Sequence, residues 1–171
     1  MAIRPILIIG HPTLAEKALP IETVDDEVRR LADDMIETMH AKPGIGLAAP
    51  QVDVGRRLIV VDCSVGKDPE ALYILINPEI AESEGHCLSE EGCLSVPEIY
   101  EDVERPERVV VTGLDLEGRP VRIEARDLLA RAFCHEIDHL DGKLFVDLLS
   151  SLKRSLIKRK FRKAAAKESL P

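Results

Sequence analysis

The chain has no tryptophan, only three phenylalanines and two tyrosines among its 171 residues. A core so poor in rings must be built from aliphatic side chains. With 45% of the residues apolar, there are enough of them to fill one. No apolar run approaches the ~20 residues that a bilayer-spanning helix needs. The short run Ile6–Ile9 near the N-terminus is too brief for a signal-peptide core, and no small-residue cleavage site follows it. The expectation is a protein that works in the cytoplasm without membrane contact. Cysteines are few: Cys63, Cys87, Cys93 and Cys134. In a cytoplasmic chain of this size, reduced thiols or metal ligation outrank two disulfides. Internal repeats, low-complexity tracts and an interdomain linker are all missing, and the length suits one domain.

Charge is present but unevenly placed. The net charge is −8, yet residues 151–171 hold eight Lys or Arg against a single acid, Glu168, for a net +7. Residues 1–150 hold 15 basic and 30 acidic side chains, for a net −15. An acidic body with a basic tail is therefore a feature to explain.

The periodicity places helices at both ends and strands between them. Val28, Leu31, Met35 and Met39 recur at steps of three and four, predicting a helix from about Val24 to His40. Thr23 or Asp25 can cap its start, and Pro43-Gly44 ends it. Runs rich in β-branched residues follow at 57–62, 72–80, 108–115 and 120–126, the last two joined by a hairpin turn over 116–120. A helical pattern runs from about Ala125 to Leu140, and a last one from about Leu148 to Ala165. Strands in the middle flanked by helices favour an α+β fold with antiparallel sheets over alternating βαβ units.

Three stretches carry chemistry. In "FCHEIDHLDG" (133–142), His135 and His139 stand four apart. On a helix that spacing is about 400°, so the two rings project from one face and can hold one metal ion. Glu136 lies a further step round, within reach of a water on that metal but poorly placed as a ligand, which is the logic of H-E-x-x-H. No histidine follows His139. Upstream, Cys93 sits in the Gly-flanked, non-helical stretch "EEGCLSVPE" (90–98) and is a credible third ligand. Two imidazoles and one thiolate leave a fourth position for water, the layout of a catalytic site. The third stretch, "PGIGLAAPQ" (43–51), is a loop or an edge strand whose glycines let a backbone approach closely, and it ends in the amide of Gln51. On these residues alone, a zinc endopeptidase and a non-enzymatic metal- or RNA-binding module stay open beside a dedicated amide hydrolase.

"GIGLAAPQ", "EGCLS" and "HEIDH", in this order and spacing, resemble the three signature motifs of peptide deformylases, and the similarity covers residues 1 to about 150. The resemblance implies a hydrolase that removes the formyl group from the N-terminal formyl-methionine of newly made proteins and releases formate. It implies antiparallel sheets packed around a central helix carrying HEIDH, with a C-terminal helix, in a monomer. Residues 1–150 would form the catalytic domain, and 151–171 a basic C-terminal helix or tail of that same domain.

By the same resemblance, Cys93, His135 and His139 bind one divalent metal, Fe²⁺ in the cell, with Zn²⁺ or Ni²⁺ able to substitute in purified protein. A metal-bound water attacks the formyl carbon, with Glu136 as general base and then acid. The Gln51 amide and the Leu94 N–H stabilise the oxyanion. The nascent peptide pairs with the backbone of Ile45 and Gly46, and Ile45 and Leu94 line the methionine pocket. Tyr100 stands where some relatives carry a basic residue, and Cys134 is read as a core thiol. Glu91 and Arg105 are expected to form a buried ion pair that steadies the Cys93 loop. The tail from Lys153 has apolar periodicity at Leu152, Leu156, Ile157 and Phe161. It is either a solvated helix docked by one face or a contact for ribosomal RNA, whose phosphates would dominate such an affinity.

Overall fold

The computed structural model describes residues 2–168. In chain order the elements are α1 (Asp26–Ala41), β1 (Gly46–Ala48), β2 (Leu58–Asp62), β3 (Leu72–Glu84), β4 (Cys87–Cys93), β5 (Val96–Arg105), β6 (Arg108–Leu114), β7 (Pro120–Arg126), α2 (Asp127–Leu140) and α3 (Ser151–Glu168). Every strand pairing is antiparallel. Five strands form one sheet in the order β1-β2-β3-β6-β7, while β4 and β5 form a separate hairpin. The fold is α+β. Among the described residues, no helix is long and apolar enough to cross a membrane.

The run "LIVVD" of β2 is buried at every position, because helices cover both faces of the sheet there. Alternate side chains point to opposite faces. Leu58 and Val60 pack with Val28, Leu31, Met35 and Met39 of α1. Ile59 and Val61 join Leu75, Val109 and Val111 against Phe133, Ile137 and Leu140 of α2. A one-residue slip would exchange the two sets, so burial on both faces fixes the register. A third cluster holds the hairpin to the C-terminal part: Val96 and Val103 meet Leu144, Phe145, Val146 and Ile157.

The helix ends follow local chemistry. Asp25 caps α1, its carboxylate accepting from the Val28 N–H at 3.0 Å, so α1 starts at Asp26 rather than Val24. Strand β7 continues to Arg126, and α2 begins only at Asp127. α3 starts at Ser151 rather than Leu148, because Phe145–Leu148 forms a short 3₁₀ turn. Within that turn, Asp147 accepts from the Leu144 N–H at 2.9 Å. On α3, Ile157 is buried and Phe161 packs beside it, but Leu152 and Leu156 are exposed. The apolar periodicity of the tail is thus only half used for docking.

One buried acid ties α1 to the sheet. The Asp62 carboxylate, 1% exposed, accepts from the Ser64 N–H and hydroxyl, the Gly66 N–H and His40 Nε2 at 2.6–2.9 Å. Burial alone would raise its pKa, but these four donors outweigh that and hold it below the usual value of 3.8. A depressed folded pKa means the stabilisation is present above 3.8 and is lost as pH falls below it. Asp62→Asn replaces a charged acceptor with an amide whose NH₂ faces donors, at a cost of about 1–3 kcal/mol near neutral pH. Denaturant titrations should show the gap between Asp62→Asn and wild type closing as pH drops through 3.8. A gap constant down to pH 3 would contradict this reading.

Candidate active site

Helix α2 turns two faces to different neighbours. Its apolar face lies on the sheet; the face bearing Arg131, His135 and Asp138 meets the hairpin. Cys93, at the end of β4, is brought to the two histidines. One donor atom from each of Cys93, His135 and His139 lies within 4.8 Å of the others, and His139 Nε2 is 3.4 Å from the Cys93 sulfur. Among the described residues this is the one His/Cys/acid group that converges in this way.

His135 is oriented from behind. Its Nδ1 donates to Glu91 Oε2 at 2.6 Å, which leaves Nε2 free to face Cys93 and a ligand. Its ring stacks on Phe145, 6.2 Å between centroids. Glu91 in turn accepts from Arg105 Nε at 3.1 Å and Nη2 at 2.7 Å, so the expected buried pair is present. Arg105 also donates to Asp138 at 2.6 Å. Arg131 was not visible as a participant in the sequence. It donates to Glu91 Oε1 at 3.1 Å and to the carbonyls of Val103 at 2.8 Å and Cys87 at 2.7 Å. The available signal was its place one turn before His135, on the same helix face.

The charges follow from these contacts. Burial would raise the Glu91 pKa, but the His135 and Arg105 hydrogen bonds bring it down to about 2. For Glu136 the charges of His135 and Arg105 offset burial only in part. Glu136 is 3% exposed, its Oε1 is buried without a partner, and burial pushes its pKa up to about 7. Burial disfavours a charge on His135 too, yet Glu136, Cys93 and Glu91 hold its pKa well above the usual histidine value. Burial and the neighbouring His135 drive His139 the other way. Cys134 lies in the core cluster under the sheet, its thiol pKa raised to about 11 by burial.

The remaining site residues line a pocket of about 450 Å³ that contains Ile45, Gly46, Gln51, Leu94, Tyr100 and Glu136. Gln51 belongs to the 3₁₀ turn Ala49–Val52 and is 1% exposed. Its Oε1 accepts from the Ala48 N–H at 2.9 Å, so its amide NH₂ is aimed inward, 3.0 Å from Ser95 Oγ and 3.6 Å from the Cys93 sulfur. The Leu94 side chain packs so tightly on Gly44 that a Cβ there would lie 2.9 Å from it. At Gly46 a Cβ would collide with the Glu136 carboxylate; glycine is needed there for the close approach. β1 is the edge strand of the sheet. The Ile45 carbonyl is already taken by the Asp62 N–H at 2.8 Å. Because a strand's polar groups alternate between its two edges, the free edge belongs to Gly46 rather than Ile45.

The donor set suits a divalent cation. Two imidazoles and a thiol are the ligands of a site with an open fourth position, and the orphaned Glu136 oxygen lies 4.0 Å from His139 Nε2, where a cation and its water would relieve it. No fourth protein ligand joins the three among the described residues, unlike a closed structural site.

Known proteins identify the family. The family model for polypeptide deformylase matches residues 3–155. A peptide deformylase of Alkalilimnicola ehrlichii is 55% identical over 163 residues, covering 95% of this chain and 91% of that protein. One of Rhizobium meliloti is 47% identical over 166 residues, with 96% and 95% covered. The crystal structure of a peptide deformylase from Legionella pneumophila superposes with a TM-score of 0.90 at 45% identity, covering 99% of this chain and 100% of that one. That of Ehrlichia chaffeensis in complex with actinonin gives 0.89 at 38% identity, with 96% and 98% covered. The chain belongs to the polypeptide deformylase family, hydrolases that remove N-terminal formyl groups and depend on a divalent metal.

Proposed function

We propose that residues 1–150 act on the formyl-methionine of nascent proteins by means of a divalent cation held by Cys93, His135 and His139, and that the basic segment 151–171, of which 169–171 lie outside the described residues, belongs to the same domain. The observation that carries this reading is the buried Glu136 carboxylate, its Oε1 without a partner, beside three converging ligand atoms. When bound, the cation supplies Lewis acidity, lowering the pKa of a water at its open position toward ~7. Fe²⁺ is the proposed ion in the cell; His₂Cys ligation does not choose it over Zn²⁺ or Ni²⁺, and intracellular supply does.

The chain's own residues do the rest. Glu136 takes a proton from the attacking water and returns it to the nitrogen as the C–N bond breaks. Formate and a free amino terminus leave. The Gln51 NH₂, fixed by the Ala48 bond to its other end, and the Leu94 N–H stabilise the tetrahedral oxygen. Loss of either donor is expected to cost roughly 10²–10³ in rate. The free edge of Gly46 pairs with the peptide as an added strand, and Ile45 and Leu94 help line the methionine pocket.

The basic helix supports a second contact, with the ribosome. Lys153 pairs with Glu101 and Lys158 with Asp147, but Arg159, Lys160, Arg162 and Lys163 form no ion pair among the described residues. We place the working protein in the cytoplasm as a monomer.

Formate release from formyl-Met-Ala-Ser tests the chemistry. Wild type should release formate from this peptide, not acetate from the acetyl analogue. Glu136→Gln should keep its metal and its melting temperature yet turn over at least ~100-fold more slowly; wild-type rates in Glu136→Gln, or cleavage of an unblocked internal peptide, would overturn the reading. For the helix, charge reversal at Arg159, Lys160 and Lys163 spares the docked Ile157. It should abolish salt-sensitive cosedimentation with ribosomes and leave tripeptide turnover unchanged. Undiminished cosedimentation would refute the ribosome contact.

A further inference from the structure

The wall formed by Pro43, Gly44, Ile45 and Gly46 is one side of the pocket, and it hangs between the last turn of α1 and the end of β2. Two supports hold it. At one end the Gly44 N–H donates to the Met39 carbonyl at 3.0 Å. At the other the Asp62 N–H holds the Ile45 carbonyl at 2.8 Å. The same Asp62 reaches back to α1 through its side chain, accepting from His40 Nε2 at 2.8 Å. A carboxylate only accepts, so His40 carries its proton on Nε2. The His40 ring also covers Gly66, where a Cβ would meet three ring atoms at 3.6 Å. One side chain thus closes a loop of contacts from α1 through Asp62 to Ile45 and back along 41–44 to α1. Gly44 and Gly46 add no side chain to that short connection, which leaves Ile45, packed against the core, as its one apolar anchor beside the two backbone supports.

We propose that His40 is a positioning residue for substrate binding: by holding Asp62 to the end of α1, it fixes the distance between the glycine wall and the opposite, Cys93-bearing side of the pocket. This rests on the reading of the Gly46 edge as the strand to which the peptide adds. His40 touches neither the converging ligand atoms nor Glu136, so its loss should weaken binding of substrate and transition state alike. That pattern raises KM and leaves kcat nearly unchanged.

Two variants separate the hydrogen bond from the packing. His40→Phe keeps a ring over Gly66 and removes the donor. His40→Gln removes the ring and keeps an amide N–H at a reach similar to that of Nε2. With formyl-Met-Ala-Ser, His40→Phe should raise KM about three- to tenfold with kcat within about twofold of wild type, as loss of uniform binding requires. His40→Gln should restore KM to near the wild-type value. Far-UV circular dichroism and thermal melts confirm that each variant is folded. An unchanged KM in His40→Phe, a fall in kcat alone, or a KM in His40→Gln as high as in His40→Phe would each overturn the proposal. Failure of wild type to release formate would instead strike the underlying functional reading.

Discussion

The site depends on one buried carboxylate. Glu91 lies on the hairpin, and its two oxygens accept from Arg105, Arg131 and His135. Two of those donors stand on α2 and one on the far strand of the hairpin, so a single group fastens the hairpin to the helix and sets the angle of the His135 ring. A buried charge without partners would be expensive; with five hydrogen-bond donors accounted for across Glu91 and Asp138, it becomes a register device. Cys93 is two residues further along the same strand, and a bulge between Glu91 and Cys93 turns it toward the histidines. The thiol therefore reaches His139 because Glu91 is where it is.

Glu136 shows the opposite use of burial. Glu91 and Glu136 are both buried at the pocket, but one is surrounded by cations and the other is left with an unpartnered oxygen. Their pKa values separate accordingly, to about 2 and about 7. Two carboxyls held apart in this way suit different roles: an anion that orients a histidine, and the proton carrier proposed for Glu136.

The sequence disclosed these parts unequally. H-E-x-x-H on a helix was legible because spacing alone puts His135 and His139 on one face. The sheet core was legible because β2, β3, β6 and β7 are rich in β-branched residues. The hairpin β4–β5 was not read as paired strands, and the reason is physical. Its inward positions include Glu91 and Arg105, which break the apolar alternation that marks a half-buried strand. Arg131 was hidden for a related reason: an arginine in an amphipathic helix ordinarily reads as solvated, and only the position of Glu91 in space shows otherwise. β1 could be read as loop or edge strand, and its three-residue pairing with β2 settles that it is the sheet's edge. Ile45 and Gly46 could not be told apart as free strand edge until the Asp62 bond showed which edge each residue faces.

Metal K-edge X-ray absorption on anaerobically purified protein tests the central claim most directly, because it reads the ligands of the cation without relying on turnover. The account predicts one sulfur scatterer, about 2.3 Å away if the metal is zinc, together with two imidazole nitrogens and a light oxygen atom. A shell without sulfur, or one completed by a fourth protein ligand, would contradict the assignment of Cys93, His135 and His139 as an open catalytic site.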